Sequence, residues 1–236
     1  MHHFMDRLIE KAIANSVSNK VAKLQIKSEW HPDIAISRDP GSGGHPIAKK
    51  VAKQLGWKLL DETLMDQLAE ELGIPVEEFA GIDEHSRSWF ADSFHAIFNP
   101  DYVSDVRYIT HLKKILFHAA KQGDMVVLGR GANLILPQDK CLRIRITASF
   151  ATRVNNTYKY ENKTSKAEAE EWVRHIQKQR NDFIHQYFGS NPHNPWNYDL
   201  VISTDNLSLD QAVEIILRAY ITKFPKEAKR LKSKLS

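Results

Sequence analysis

The sequence predicts an α/β fold in which helices cover both faces of a parallel sheet. Short apolar runs alternate with longer amphipathic stretches along the chain, the pattern of repeated strand–helix units. The run Ile34-Ala35-Ile36 leads into Asp39-Pro40-Gly41-Ser42-Gly43-Gly44 and then at once into a helical stretch. Met125-Val126-Val127-Leu128 is apolar throughout and bounded by Gly129, which suits a strand buried on both faces.

Residues 4–26 carry Leu8, Ile9, Ala12, Ile13, Val17, Val21 and Leu24 at helical spacing, so residues 1–30 are expected to form a separate amphipathic helical segment. Ile34 to Ile36 predicts the first strand. Beyond the glycine turn, Ile47, Ala48, Val51, Ala52 and Leu55 share one helical face, and Gly56 is the stop signal. Trp57 to Leu60 predicts a short second strand with Asp61 at its carboxyl end, followed by a helix over 62–72. From Pro75 to Tyr108 the pattern loosens, and Trp89, Phe90, Phe94, Phe98 and Tyr102 predict a small helical insertion over 75–105. A regular helix over 104–121 ends at Gly123 and leads to the strand at 125–128. Leu142 to Thr147 alternates apolar residues with Arg143 and Arg145, which predicts a more exposed strand. A polar helix follows over 165–188, with Thr164 or Ser165 as N-cap and Glu168 near the capping-box position. Tyr198 to Ile202 predicts the last strand and Leu209 to Ile221 the last helix. In the tail over 225–236, Lys226, Lys229, Arg230, Lys232 and Lys234 face only Glu227, as on a solvated helix.

Composition excludes several classes. Five Trp, seven Tyr and ten Phe within a 42% apolar chain do not belong to a disordered coil. Asp6, Glu10, Lys11, Lys20 and Lys23 interrupt every apolar stretch near the start, so neither a signal peptide nor a membrane association is expected. Cys141 is the single cysteine, which excludes an intrachain disulfide and a CxxC motif and points to the cytoplasm. A net charge of +4 is small, and with no RNA-binding aromatic motif or zinc finger no nucleic-acid partner is expected. Neither an HExxH pair nor a GxSxG elbow is present.

The chemical lead is the glycine turn. Glycines let successive N–H groups converge, and a helix N-terminus adds positive potential, so strand, glycine turn and helix together suit phosphate. Three stretches, taken together, carry a resemblance. Arg38-Asp39-Pro40-Gly41-Ser42-Gly43 with Ile47-Ala48 and Leu55-Gly56 resembles the phosphate loop of the nucleoside monophosphate kinases. Val126-Val127-Leu128-Gly129-Arg130-Gly131, then Leu136-Pro137, Ile144-Arg145-Ile146-Thr147-Ala148-Ser149 and Arg153, is similar to a succession found in cytidylate kinases. Tyr187-Phe188-Gly189, Trp196 and Tyr198-Asp199-Leu200-Val201-Ile202-Ser203-Thr204, with the helix start Leu207-Ser208-Leu209, complete the order. Over about 34–222 the chain resembles the divergent cytidylate kinase-like family of phosphate-loop kinases, whose loop reads GSGG.

That resemblance implies a three-layer phosphate-loop kinase fold over 31–224, with about five parallel strands, an acceptor-binding insertion at 75–105 and a lid at 155–164. It implies ATP and Mg²⁺ as cofactors and a nucleoside monophosphate as partner substrate, CMP or dCMP foremost. ATP would be held by Arg38, Pro40, Gly41, Ser42, Gly43, Gly44 and His45. Arg130, Arg153 and Arg180 would neutralise the phosphoryl group, since guanidinium is always charged and grips phosphate oxygens as a fork; Arg174 is a lesser candidate. Asp61 would orient the acceptor hydroxyl or a Mg²⁺-bound water, or else cap the helix behind it.

The chain also departs from the family pattern. Gly44 stands where the phosphate-loop lysine belongs and Pro46 where a threonine does, leaving Arg38, or less readily His45, to supply the cation. No arginine follows the second strand to grip an acceptor phosphate. Gly131 and Gln177 replace expected aspartates, and Leu128 takes the place of an acidic Mg²⁺ partner, so the metal ligands stay open. Three readings follow: a nucleoside monophosphate kinase, a nucleotide-binding regulatory module without transfer activity, or a kinase of a non-nucleotide metabolite. The N-terminal helix would suit a homodimer contact or would pack on its own sheet.

Overall fold

The computed structural model describes residues 31–60, Leu64, Leu68, Leu72, Gly73, residues 105–227, and residues 230 and 231. The expected N-terminal helix, most of the helix over 62–72, the insertion at 75–105 apart from its last residue, and Asp61 lie outside the described residues.

Five strands are described: β1 (Asp33–Arg38), β2 (Lys58–Leu60), β3 (Met125–Leu128), β4 (Cys141–Thr147) and β5 (Leu200–Ser203). They form one parallel sheet in the order β2-β3-β1-β4-β5. Period-two alternation divides the strands between two cores. Ile34, Ile36, Val126, Ile144 and Ile146 face α1 (Gly44–Leu55) and α6 (Leu209–Lys223), whose Ile47, Val51, Leu55, Val213 and Ile216 are fully buried. Ala35, Met125 and Val127 face α2 (Asp105–Gln122) and the single turn α3 (Ala132–Ile135) on the other side. Two helices, α4 (Phe150–Tyr160) and α5 (Lys166–Phe188), form the connection between β4 and β5.

Local chemistry explains the boundaries. Gly56 ends α1 at φ +64, with its N–H on the carbonyls of Ala52 and Lys53. Ser165 caps α5 by accepting the Glu168 N–H, and the Glu168 carboxylate turns back to Thr164, whose hydrogen bonds hold its pKa below the usual range. The residues 155–164 thus comprise the last turns of α4 and the tight turn into α5. Ser208 and Gln211 form a reciprocal capping box at α6.

Two expectations need correction. β4 is not exposed: it lies between β1 and β5, and Arg143 and Arg145 are only 7% and 5% accessible. Arginines survive there because each meets a carboxylate, Arg143 on Asp199 at 2.9 Å and Arg145 on Asp39 at 2.6 Å. Lys223 of α6 joins Asp199 at 2.6 Å; burial pushes the Asp199 pKa up, but the bonds from Arg143 and Lys223 outweigh it and hold the carboxyl low. The tail is not simply solvated either. Leu231 is fully buried in the core under Tyr220, and Arg230 pairs with Asp124 at 2.6 Å and Glu227 at 2.7 Å.

Candidate functional site

In an open α/β sheet, ligands bind beyond the carboxyl ends of the strands, where successive connections diverge. Here the chain leaves β1 toward one edge of the sheet and leaves β4 toward the other. The turn Asp39–Gly43 sits at that point. Gly41 and Gly43 adopt φ +74 and +79, and α1 begins at Gly44. The first N–H groups of a helix lack intrahelical acceptors, so those of Gly44 and His45 form a positive terminus at the loop.

The loop is held from three sides. Asp39 is 5% accessible; its oxygens accept from Arg145 Nη2 and Thr147 Oγ1, both at 2.6 Å, and its N–H donates to the Ile146 carbonyl. Thr204, just beyond β5, donates its hydroxyl to the Ser42 carbonyl at 2.9 Å. From α4, Asn156 donates to the Gly41 carbonyl at 2.9 Å. A Cβ on Gly41 would lie 2.3 Å from the Arg153 carbonyl oxygen, so α4 is seated directly on the turn.

Three of the expected arginines are drawn to this region. Arg180 of α5 donates from Nη1 to the Arg38 carbonyl at 3.0 Å. Burial, then the charge of Arg38, holds the Arg180 pKa well below the ordinary arginine value, with Arg145 adding to the effect and Asp39 opposing it. Arg153 donates to the neutral amide of Gln177 at 3.0 Å and stands 5.5 Å from the Phe150 ring, and its buried Nε has no partner among the described residues. Arg130 follows β3 at φ +57, between Gly129 at +81 and Gly131 at +65. A left-handed arginine costs about 1–3 kcal/mol of local strain and is held by its surroundings, as residues at working sites commonly are. Around the loop, Arg145 thus pairs with Asp39, Arg180 donates to the Arg38 carbonyl and feels the charges of Arg38, Arg145 and Asp39, and Arg153 stands on the helix that presses on Gly41.

Other candidates sort differently. Ser42 turns its hydroxyl inward to the carbonyls of Asp39 and Ile146, so its side chain braces the loop instead of facing a ligand. Pro40 is buried, whereas His45 is exposed. Arg174 is an exposed surface residue paired with Glu170 one turn away. The residues missed from sequence are Arg145, Thr147, Asn156 and Thr204; Thr147 and Thr204 stood inside the family-like motifs without a role. His193 was missed too: its Nδ1 lies 3.4 Å from Arg145, and burial followed by that charge pushes its pKa down.

ATP fits this geometry, because a glycine turn, a helix N-terminus and a cluster of guanidinium groups all favour phosphate. Mg²⁺ keeps several waters and takes one or two carboxylates beside the phosphates of a nucleotide. Among the described residues, no cluster of three or more His, Cys, Asp or Glu side chains is arranged for a cation. Asp39 is engaged by Arg145 and Thr147, and Leu128 ends β3.

The match to known proteins spans all five strands of this architecture and stops short of α6. The cytidylate kinase-like family model matches residues 33–206. A cytidylate kinase of Pyrobaculum neutrophilum is 30% identical over 185 residues, covering 78% of this chain and 90% of its own. One from Archaeoglobus fulgidus is 30% identical over 191 residues, covering 79% and 93%. Among solved structures, an uncharacterized protein from Eubacterium ventriosum matches with a TM-score of 0.59 at 21% identity, over 80% of this chain and 98% of that one, a likeness of fold. With its phosphate-type turn at the head of the matched segment and its five parallel strands within it, the chain belongs to the cytidylate kinase-like family.

Proposed function

We propose that the protein moves the γ-phosphoryl group of ATP to a nucleoside monophosphate, with CMP or dCMP the foremost acceptor. The observation that carries this reading is the set of guanidinium groups near the glycine turn: Arg38, Arg145 and Arg180, with Arg153 on the helix seated against it. An anion with several oxygens complements such a set. Membership of the cytidylate kinase-like family supports a nucleotide kinase, and the curated cytidylate kinases suggest the acceptor.

Phosphoryl transfer asks a protein chiefly for positioning and charge neutralisation. In this reading Pro40, Gly41, Gly43, Gly44 and His45 line the nucleotide phosphates with backbone, and ATP when bound supplies the transferable group. Arg130, Arg153 and Arg180 neutralise the charge on that group, and Asp61 orients the acceptor hydroxyl. Mg²⁺ is expected to accompany ATP.

The test is coupled ADP release with ATP and Mg²⁺ across a panel of nucleoside monophosphates, beside an Arg130→Ala variant. Turnover on CMP or dCMP that falls about a hundredfold or more in the variant is the expected result. A second reading, a nucleotide-binding regulatory module, is favoured by one observation: Gly44 stands in the lysine position of the loop. ATP binding without turnover on any monophosphate would select it, or a kinase of a non-nucleotide acceptor; a wider acceptor screen separates those two.

A further inference from the structure

We propose that Arg38 does the work of the phosphate-loop lysine, and that Gly44 is glycine because Arg38 occupies the space a side chain there would need. The proposal rests on the ATP-binding reading above. The common phosphate loop runs G-x-x-x-x-G-K, its backbone cradling phosphate and its lysine reaching the terminal phosphates. Over the same seven positions this chain reads Arg38-Asp39-Pro40-Gly41-Ser42-Gly43-Gly44. A glycine and a cation have exchanged ends of the motif.

The two ends touch. A Cβ on Gly44 would lie 2.4 Å from Arg38 Cβ and 2.9 Å from its Cγ. Those atoms lie next to the backbone and cannot swing aside as the tip of a long side chain can. Gly44 opens α1 and has an ordinary helical backbone, with none of the left-handed φ of Gly41 and Gly43. Its backbone conformation therefore gives no reason for glycine, which is a poor helix residue. The reason is the neighbour: a lysine at 44 and an arginine at 38 exclude each other.

The far end of Arg38 shows what the exchange achieves. Its side chain crosses from the end of β1 to the end of β3, where Nη1 lies 2.1 Å from the place a Cβ on Gly129 would take. Gly129 is thus glycine twice over, for its φ of +81 and for this contact. The guanidinium stands beside the turn that carries Arg130, and the Arg38 carbonyl accepts from Arg180. Asp39, the adjoining carboxylate, is already engaged by Arg145 and Thr147. A cation is thereby fixed at the sheet edge without a side chain at the start of α1. A guanidinium held this way presents a rigid planar fork to two phosphate oxygens, where an ammonium offers a compact point charge on a flexible stem.

Four variants test this: Arg38→Gly, Arg38→Met, Gly44→Lys, and the double Arg38→Gly/Gly44→Lys, which restores the common motif. ATP and inorganic tripolyphosphate are titrated by calorimetry, and melting is followed alongside. Arg38→Gly and Arg38→Met should each weaken both ligands roughly tenfold or more, the loss expected for a charge-assisted contact. Gly44→Lys alone should bind poorly and melt below the unsubstituted protein. The double variant should melt above Gly44→Lys and recover most of the ATP affinity lost in Arg38→Gly. ATP affinity unchanged in Arg38→Met, or a double variant binding no better than Arg38→Gly, would overturn the assignment and leave the kinase reading intact. Absence of ATP binding by the unsubstituted protein would overturn both.

Discussion

Arg145 and Asp39 meet at 2.6 Å with both side chains 6% exposed, so a bond from within β4 fixes the first residue of the glycine turn. The pair joins a strand whose place is set by the sheet to a turn whose own bonds run from the Ser42 N–H and hydroxyl to the Asp39 carbonyl. Thr147, two residues along β4, adds a second bond to the same carboxylate. The shape of the turn is in this way inherited from β4 as much as from its own glycines.

Removing one partner of a buried pair strands the other without water. Arg145→Met should therefore cost about 3–5 kcal/mol in urea unfolding, whereas the double variant Arg145→Met/Asp39→Asn, which removes both charges of the pair, should lose clearly less. Equal losses in the two would mean that the ion pair is not what holds the strand and turn together.

Arg153 donates to the neutral amide of Gln177 and, among the described residues, makes no ion pair with a carboxylate. Gln177→Glu sets a carboxylate in the same position and should weaken ATP binding about tenfold, with little change in melting temperature. Arg153→Ala should weaken it at least as much. Calorimetric titration of both variants is the check, and tighter binding by Gln177→Glu would contradict the expectation.

Two left-handed glycines separate backbone strain from steric overlap. Gly189, at φ +57, has open space where a Cβ would stand, with nothing within 4 Å, so Gly189→Ala should cost only about 1 kcal/mol. Gly41→Ala carries similar strain and also drives a methyl into the Arg153 carbonyl at 2.3 Å. It should destabilise more than Gly189→Ala and weaken ATP binding, which Gly189→Ala should leave alone. Paired melting curves and titrations decide.

Asp205 accepts both the N–H and the hydroxyl of Ser149 at the start of α4. Hydroxyl bonds from Thr152 and Ser149, with the Ser149 N–H, lower its pKa from 3.8 to about 2. A depressed carboxyl stabilises the fold above its unfolded pKa and loses that contribution as pH falls toward its folded one. The melting-temperature gap between the unsubstituted protein and Asp205→Asn should thus be full near about pH 6 and shrink between about pH 4 and 2. A gap that stayed constant across that range would remove Asp205 from the acid response.

The strands and helices were legible because their apolar periodicity is clean: Ile34, Ile36 and Ile47, Val51, Leu55 read directly as strand and helix faces. Arg145 was not. An alternating strand with two arginines looks half-solvated until its neighbours are known, and the partners Asp39 and Asp199 are 106 and 56 residues away. The loop braces escaped for the same reason, since Thr204 and Asn156 are recognisable only once β5 and α4 stand beside the turn. Motif order pointed to Arg130 and Arg153 and the long helix to Arg180, and the structure sets Arg180 on the Arg38 carbonyl; of Arg38 and Gly44, the missing lysine could be read and the contact between them could not.

Helix α5 is anchored unevenly. Its carboxyl half is fastened to the sheet at two points, Arg180 on the end of β1 and Phe188, whose ring fills the space beside Gly131 after β3. Its amino half packs through Ala169 and Val173 onto Val154 of α4. In mechanical terms α5 is a lever clamped at one end, and any swing of the α4–α5 pair would pivot near Gln177 to Arg180. Such a swing would leave Arg180 in register with the glycine turn, and it would have to lift the Arg153 carbonyl off Gly41 and break the Asn156 bond to that residue.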